Sequence, residues 1–239
     1  MHLLPIVLVL LLTCEAQCYH LKGCGSDERE SLTLFNKALK GKGWNHLWPI
    51  NDPKRHHCDW YGVTCNQNKR VTKIDLQLNN LKGRLPRSTY CFPHLQTLYL
   101  QNNYISGTIY DKPDAGISKL KSLKYLDLRN NMITGNIPTG MCKLKASLMY
   151  LNIQHNVFSG SIPDCFDVRF QKSLRGFAAH CNKLSGRIPE GFKDMKFLES
   201  LHIHCQHLGF HPSQCPTFKL PDSVDVKCGK VGCKDICRR

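Results

Sequence analysis

Between residues 71 and 211 the apolar positions follow one frame that restarts every 24 to 28 residues. Its copies are "VTKIDLQLNNLKGRLP" from Val71, "LQTLYLQNNYISGTIY" from Leu95 and "LKYLDLRNNMITGNIP" from Leu123. They continue with "LMYLNIQHNVFSGSIP" from Leu148, "LRGFAAHCNKLSGRIP" from Leu174 and the degenerate "LESLHIHCQHLGFHP" from Leu198. Apolar residues hold frame positions 1, 4, 6 and 11, and polar residues dominate between them. One copy cannot shield such a set, so stacking against the next copy is required and a solenoid is predicted. Position 9 carries Asn79, Asn103, Asn131, Asn156 and Asn182, whose amides can satisfy backbone groups left open where each coil bends. Glycine at position 13 permits a tight backbone, and the proline that follows fixes the exit. The sixth copy replaces the asparagine with Gln206 and loses the G-x-I-P, as a terminal repeat would.

Outside the frame the pattern changes. "SDERESLTLFNKALKGKG", residues 26–43, predicts one helix with Asp27 and Glu30 as a capping box, Leu32, Phe35 and Leu39 on one face, and Gly41 at the end. "CDWYGVTC", residues 58–65, predicts a small disulfide loop through Cys58 and Cys65, with Trp60 and Val63 closing the end of the core. "YDKPDAGIS", residues 110–118, is an insertion between the second and third repeats and a candidate binding loop.

Residues 3–13 are apolar, too few for a bilayer span, and Cys14-Glu15-Ala16 supplies small residues at the −3 and −1 positions of a cut. This predicts a signal peptide over 1–16, a cap over 17–70, repeats over 71–211, and a basic, cysteine-rich tail over 212–239. A secreted, extracellular chain without a spanning helix or lipid anchor is expected. In that compartment the thirteen cysteines left from fourteen should be mostly paired, with one odd thiol. The net charge of +15 rises to +16 once Glu15 is removed, which favours polyanionic partners; secretion disfavours nucleic acid. No N-x-[ST] acceptor occurs.

Catalytic signatures are missing. No G-x-S-x-G, H-E-x-x-H or phosphate loop is present. Asp75 and Asp127 sit two repeats apart, roughly 10 Å at the usual strand spacing, with nothing beside them to support acid/base work. A binding protein rather than an enzyme is predicted, with no cofactor.

The G-x-I-P repeats together with "CDWYGVTC" resemble the plant-type extracellular leucine-rich repeat proteins, which include receptor ectodomains and secreted polygalacturonase inhibitors. The resemblance implies a right-handed solenoid with a concave parallel β-sheet, short 3₁₀ segments behind and an N-terminal helical cap. It also implies recognition of proteins, peptides or glycans, by an inhibitor of a glycan-degrading enzyme or a receptor-type defence or signalling module.

In this frame positions 3, 5, 7 and 8 face out from the concave sheet. The candidate ligand-binding residues are Lys73, Asp75, Gln77, Tyr99, Gln101, Tyr125, Asp127, Arg129, Tyr150, Asn152, Gln154, His155, His180, His202 and His204. Tyrosine and arginine at the centre of this set are typical interface anchors. Just before the strands, Lys119, Lys121, Lys143, Lys145, Lys172, Lys193 and Lys196 should form a basic column along one rim. A matrix or adhesion role, with this rim holding anionic polysaccharide, is the alternative function. "LHIHCQHLGFH", residues 201–211, looks like a metal site, but the frame scatters its histidines and no metal is assigned. Cys181 and Cys205 occupy the same slot of adjacent repeats and predict a disulfide, in competition with Cys205–Cys215. Cys228, Cys233 and Cys237 are further disulfide candidates.

Overall fold

The structure, a computed structural model, describes residues 24–112, 115–166, 173–206 and 224–227. The predicted signal peptide, Lys172 and the tail cysteines Cys215, Cys228, Cys233 and Cys237 lie outside the described residues. Among those described, no helix is long and apolar enough to cross a membrane.

Helix α1 (Glu28–Ala38) starts where Asp27 accepts a hydrogen bond from the Glu30 N–H at 2.7 Å. The Glu30 carboxylate reaches back to the Ser26 N–H at 2.5 Å, so the capping box closes one residue upstream of the expected partner. Leu32, Phe35 and Leu39 are fully buried. The helix ends at Ala38, and Lys40 then takes a left-handed turn (φ 54°) into the 3₁₀ segment Gly41–Gly43. Phe35, Trp44, Trp48 and Trp60 then pack ring against ring, with Trp44 and Trp48 centred 4.9 Å apart and Trp48 and Trp60 5.2 Å apart. Arg29 lies over Trp60 at 5.0 Å. This aromatic plug covers the open end of the leucine core. The Cys58–Cys65 disulfide forms beside it, as the sequence predicts.

Among the described residues the concave sheet has eight strands. Val63–Cys65 pairs antiparallel with Val71–Asp75. Thr97–Tyr99, Tyr125–Asp127, Tyr150–Asn152, Gly176–Ala178, Ser200–His202 and Asp225–Lys227 then follow in parallel. The last strand carries the sheet one coil past the sixth repeat, a continuation that the loss of G-x-I-P conceals. Between the strands and their return run short 3₁₀ turns, including Thr139–Leu144 and Glu190–Asp194. A second, five-stranded parallel sheet lines the opposite face: Lys82–Arg84, Tyr104–Gly107, Met132–Asn136, Val157–Gly160 and Lys183–Leu184. The frame's position-13 glycines belong to these segments or, for Gly186, lie two residues past the last, all at positive φ, from 72° at Gly160 to 114° at Gly83.

The asparagines act as predicted. Asn131 donates from Nδ2 to the Leu100 and Leu128 carbonyls (2.9 and 3.0 Å) and accepts from Ile105 N–H at 2.9 Å, so one amide joins two coils. Asn103, Asn156 and Asn182 repeat the arrangement. Gln206 does so as well, donating to Ala179 O at 2.9 Å and accepting from Leu184 N at 3.0 Å. Its longer side chain conserves the bond rather than ending the ladder. The insertion forms a hairpin, Asp111–Lys112 with Ala115–Gly116. Asp111 ties it to the next coil by accepting from Gly140 N–H and the Thr139 hydroxyl.

Two disulfides join residues that the frame does not relate, Cys24–Cys91 and Cys142–Cys165. Cys181 and Cys205 are also both disulfide-bonded, and the Cys181 N–H donates to Cys205 O at 3.0 Å.

Candidate functional site

The concave surface is built from two columns of side chains. Parallel register stacks position 3 as Lys73, Thr97, Tyr125, Tyr150, Gly176 and Ser200, and position 5 as Asp75, Tyr99, Asp127, Asn152, Ala178 and His202. Large residues in the second to fourth repeats give way to small ones in the fifth. The step leaves a groove of about 390 Å³ walled by Tyr99, Tyr125, Asp127, Tyr150 and Asn152 and ending on Gly176, Ala178 and Ser200.

Glycine at 176 is what allows the step. A Cβ there would meet Tyr150 Cδ1 at 2.8 Å, so the bare backbone lets the Tyr150 ring lie across the next coil. Tyr125 and Tyr150 stack with ring centres 5.5 Å apart and planes 7° from parallel. The Tyr150 hydroxyl donates to Glu199 at 3.0 Å, and Arg175 holds the same carboxylate at 2.8 Å. Burial, then the Glu199 contact, raises the Tyr150 phenol pKa; hydrogen bonds from Arg175 and Tyr150 keep Glu199 below the usual carboxylate range. Asp127 is more enclosed. Desolvation raises its pKa above the ordinary value, only partly countered by the Arg129 N–H at 3.0 Å and guanidinium at 3.6 Å. At the N-terminal end, Lys73 pairs with Asp75 at 3.0 Å and sits 5.5 Å from the Tyr99 ring centre.

Not all the predicted residues share this surface. The strands of the second to sixth repeats cover only positions 3 to 5, because the chain turns immediately afterwards. Position 8 is left-handed in every repeat (Leu78, Asn102, Asn130, His155, Cys181 and Cys205, φ 51° to 58°), so it belongs to the turn, not to the sheet face. Position 7 folds partly inward. Gln101 is buried and donates to Gln77 at 2.9 Å, and His180 and His204 are each only 9% exposed. Gln154 lies in the same turn, its N–H bonded to Asn152 at 3.3 Å. The lysines of the predicted rim lie in or beside the 3₁₀ turns. Lys121, Lys143, Lys145, Lys193 and Lys196 are exposed and Lys119 half-buried, with Lys193 paired to Glu190 at 3.5 Å.

Glu199 and Arg175, which fix Tyr150, are absent from the predicted set. Both hold position 2 of adjacent repeats, and opposite charges in one slot of neighbouring coils were the available signal.

Leucine-rich repeat family models match residues 93–139 (two copies) and 147–168. Phytosulfokine receptor 1 of Arabidopsis thaliana is 32% identical over 146 residues, covering 56% of this chain and 14% of the receptor. Polygalacturonase inhibitor 1 of the same plant is 30% identical over 127 residues, covering 52% of this chain and 36% of the inhibitor. The crystal structure of the BIR2 ectodomain from Arabidopsis thaliana superposes with a TM-score of 0.61 at 27% identity, over 77% of this chain and 97% of that one. The chain carries leucine-rich repeats and is similar to plant leucine-rich repeat receptors, their ectodomains and a polygalacturonase inhibitor. The leucine-rich repeat chain spans well under half the length of these two curated relatives.

Proposed function

We propose that the chain is a secreted recognition module, of receptor or inhibitor type, that binds an extended segment of an extracellular protein or peptide in the concave groove. The observation that carries this reading is the groove between the Tyr99–Tyr125–Tyr150 wall and the Gly176–Ala178 floor. Stacked tyrosines offer large, rigid, amphipathic contact area at little entropic cost, and the small residues beyond them leave room for a ligand. Relatives named as a receptor and as an enzyme inhibitor support a binding role. Among the described residues, the charged groups at the groove are arranged in pairs rather than as an acid and base around a free site, which suits recognition better than catalysis.

The test is capture from plant extracellular fluid by the wild type, by Ala178→Arg, which fills the groove, and by Met132→Ala on the opposite sheet. A salt-resistant protein or peptide retained by wild type and Met132→Ala but lost by Ala178→Arg supports the reading. Equal retention by all three overturns it. Elution of acidic polysaccharide alone, by salt, moves the function to the lysine rim.

A further inference from the structure

From the fourth repeat onward, imidazoles gather at the turns that follow the concave strands. His155 ends the fourth repeat's strand turn, His180 follows in the fifth, and His202 and His204 lie in the sixth. Their ring centres form one connected group: 5.3 Å for His155–His180, 4.5 Å for His180–His204, 6.4 Å for His180–His202 and 6.3 Å for His202–His204. Imidazoles that share a tetrahedral metal at about 2.0 Å have ring centres roughly 5 Å apart, so the His155–His180 and His180–His204 spacings fit a common ion, while His202 stands about 1 Å further out.

We propose that His155, His180 and His204, supplemented by His202, bind one divalent transition ion of the imidazole-preferring class, such as zinc or copper(II). Ring nitrogens of His155 and His180 lie within 4.8 Å of each other and of the Cys181 sulfur. That sulfur is held in a disulfide and is not a thiolate, so the donor set is imidazole alone. His202 carries the carboxylate partner typical of a metal-bound histidine: its Nε2 meets Asp225 Oδ2 at 2.7 Å, which fixes the ring and leaves Nδ1 as donor. His180 and His204 are stacked with planes 14° apart, so binding turns at least one of them edge-on. The strands on either side set the spacing, while the less buried His155 and His202 leave a way in. His155, His180 and the His202/His204 pair are 22 to 49 residues apart along the chain, so coil stacking brings the three groups together.

Titration of the full chain with Zn(II) and Cu(II), in competition with a chromogenic chelator, tests the site. One equivalent should bind wild-type protein. His180→Gln and His155→Asn should each weaken binding by about tenfold or more. The His207→Asn/His211→Asn pair should leave affinity unchanged. His155 is only half-buried, so its variant keeps the test decisive if His180→Gln fails to fold, which melting without metal reveals. Absent binding in the wild type, binding that survives His155→Asn in a folded protein, or binding lost with the His207/His211 pair overturns the proposal.

Discussion

Asn131 makes three buried hydrogen bonds to two coils, and alanine leaves the Leu100 and Leu128 carbonyls and the Ile105 N–H without that partner. The two carbonyls keep bonds from Asn103 and Asn156, so the Ile105 N–H is the group left unsatisfied and Asn131→Ala should lower unfolding stability by about 1–3 kcal/mol, read from the urea midpoint. Asp127 makes a pH prediction. Its carboxyl titrates above the ordinary value of 3.8 because burial disfavours the charge. The folded state thus holds the proton more tightly than the unfolded one, and this group's contribution falls as pH rises from that ordinary value through the folded one. Asp127→Asn lacks the loss, so its stability relative to wild type should climb across that window. A difference that is flat with pH would contradict the assigned burial. At this scale the sequence was readable wherever a residue recurs. The asparagines and glycines announced their roles by position. Gln206 hid the same role behind an extra methylene, and the inward fold of Gln101, His180 and His204 depends on a turn that polarity alone does not reveal.

Elements were legible where their signals are local. The helix, its Asp27 cap, the small cysteine loop and the strands of the six repeats all follow from short patterns. The second sheet was not, because its strands overlap the N-x-L-x-G-x-I-P segment, whose glycines obscure a strand signal. The strand Asp225–Lys227 carries too little of the frame to be recognised as another coil. Two disulfides were missed because spacing says nothing about pairing between distant coils. The disulfides differ in what they close: the missed Cys24–Cys91 spans 67 residues and the predicted Cys58–Cys65 spans 7. If denatured-chain entropy dominates, replacing the first pair with alanines should cost about 4 kcal/mol and the second about 2 kcal/mol. Thermal unfolding of the two double variants tests the order. The reverse order would place the smaller loop's importance in the Trp60 plug it encloses.

For the whole molecule, the solenoid follows from the repeat, because no single copy can bury its leucines. The proposed binding face follows less directly. Lining the frame up shows which positions face outward, but the groove comes from an absence of bulk at Gly176, Ala178 and Ser200, which a search for chemically active residues passes over. The chain is strongly basic, yet its concave centre mixes stacked tyrosines with carboxylates already paired to nearby cations. General attraction to polyanions and the proposed selective binding in the groove can therefore be tested separately. The most direct test places a photo-crosslinking phenylalanine analogue at Tyr99, on the concave wall, or at Tyr104, which is 54% exposed on the opposite sheet. Both proteins are irradiated in extracellular fluid under salt that removes polyanions. Concave recognition predicts a discrete crosslinked partner from position 99 and none from position 104; the same partner from 104 alone would contradict it.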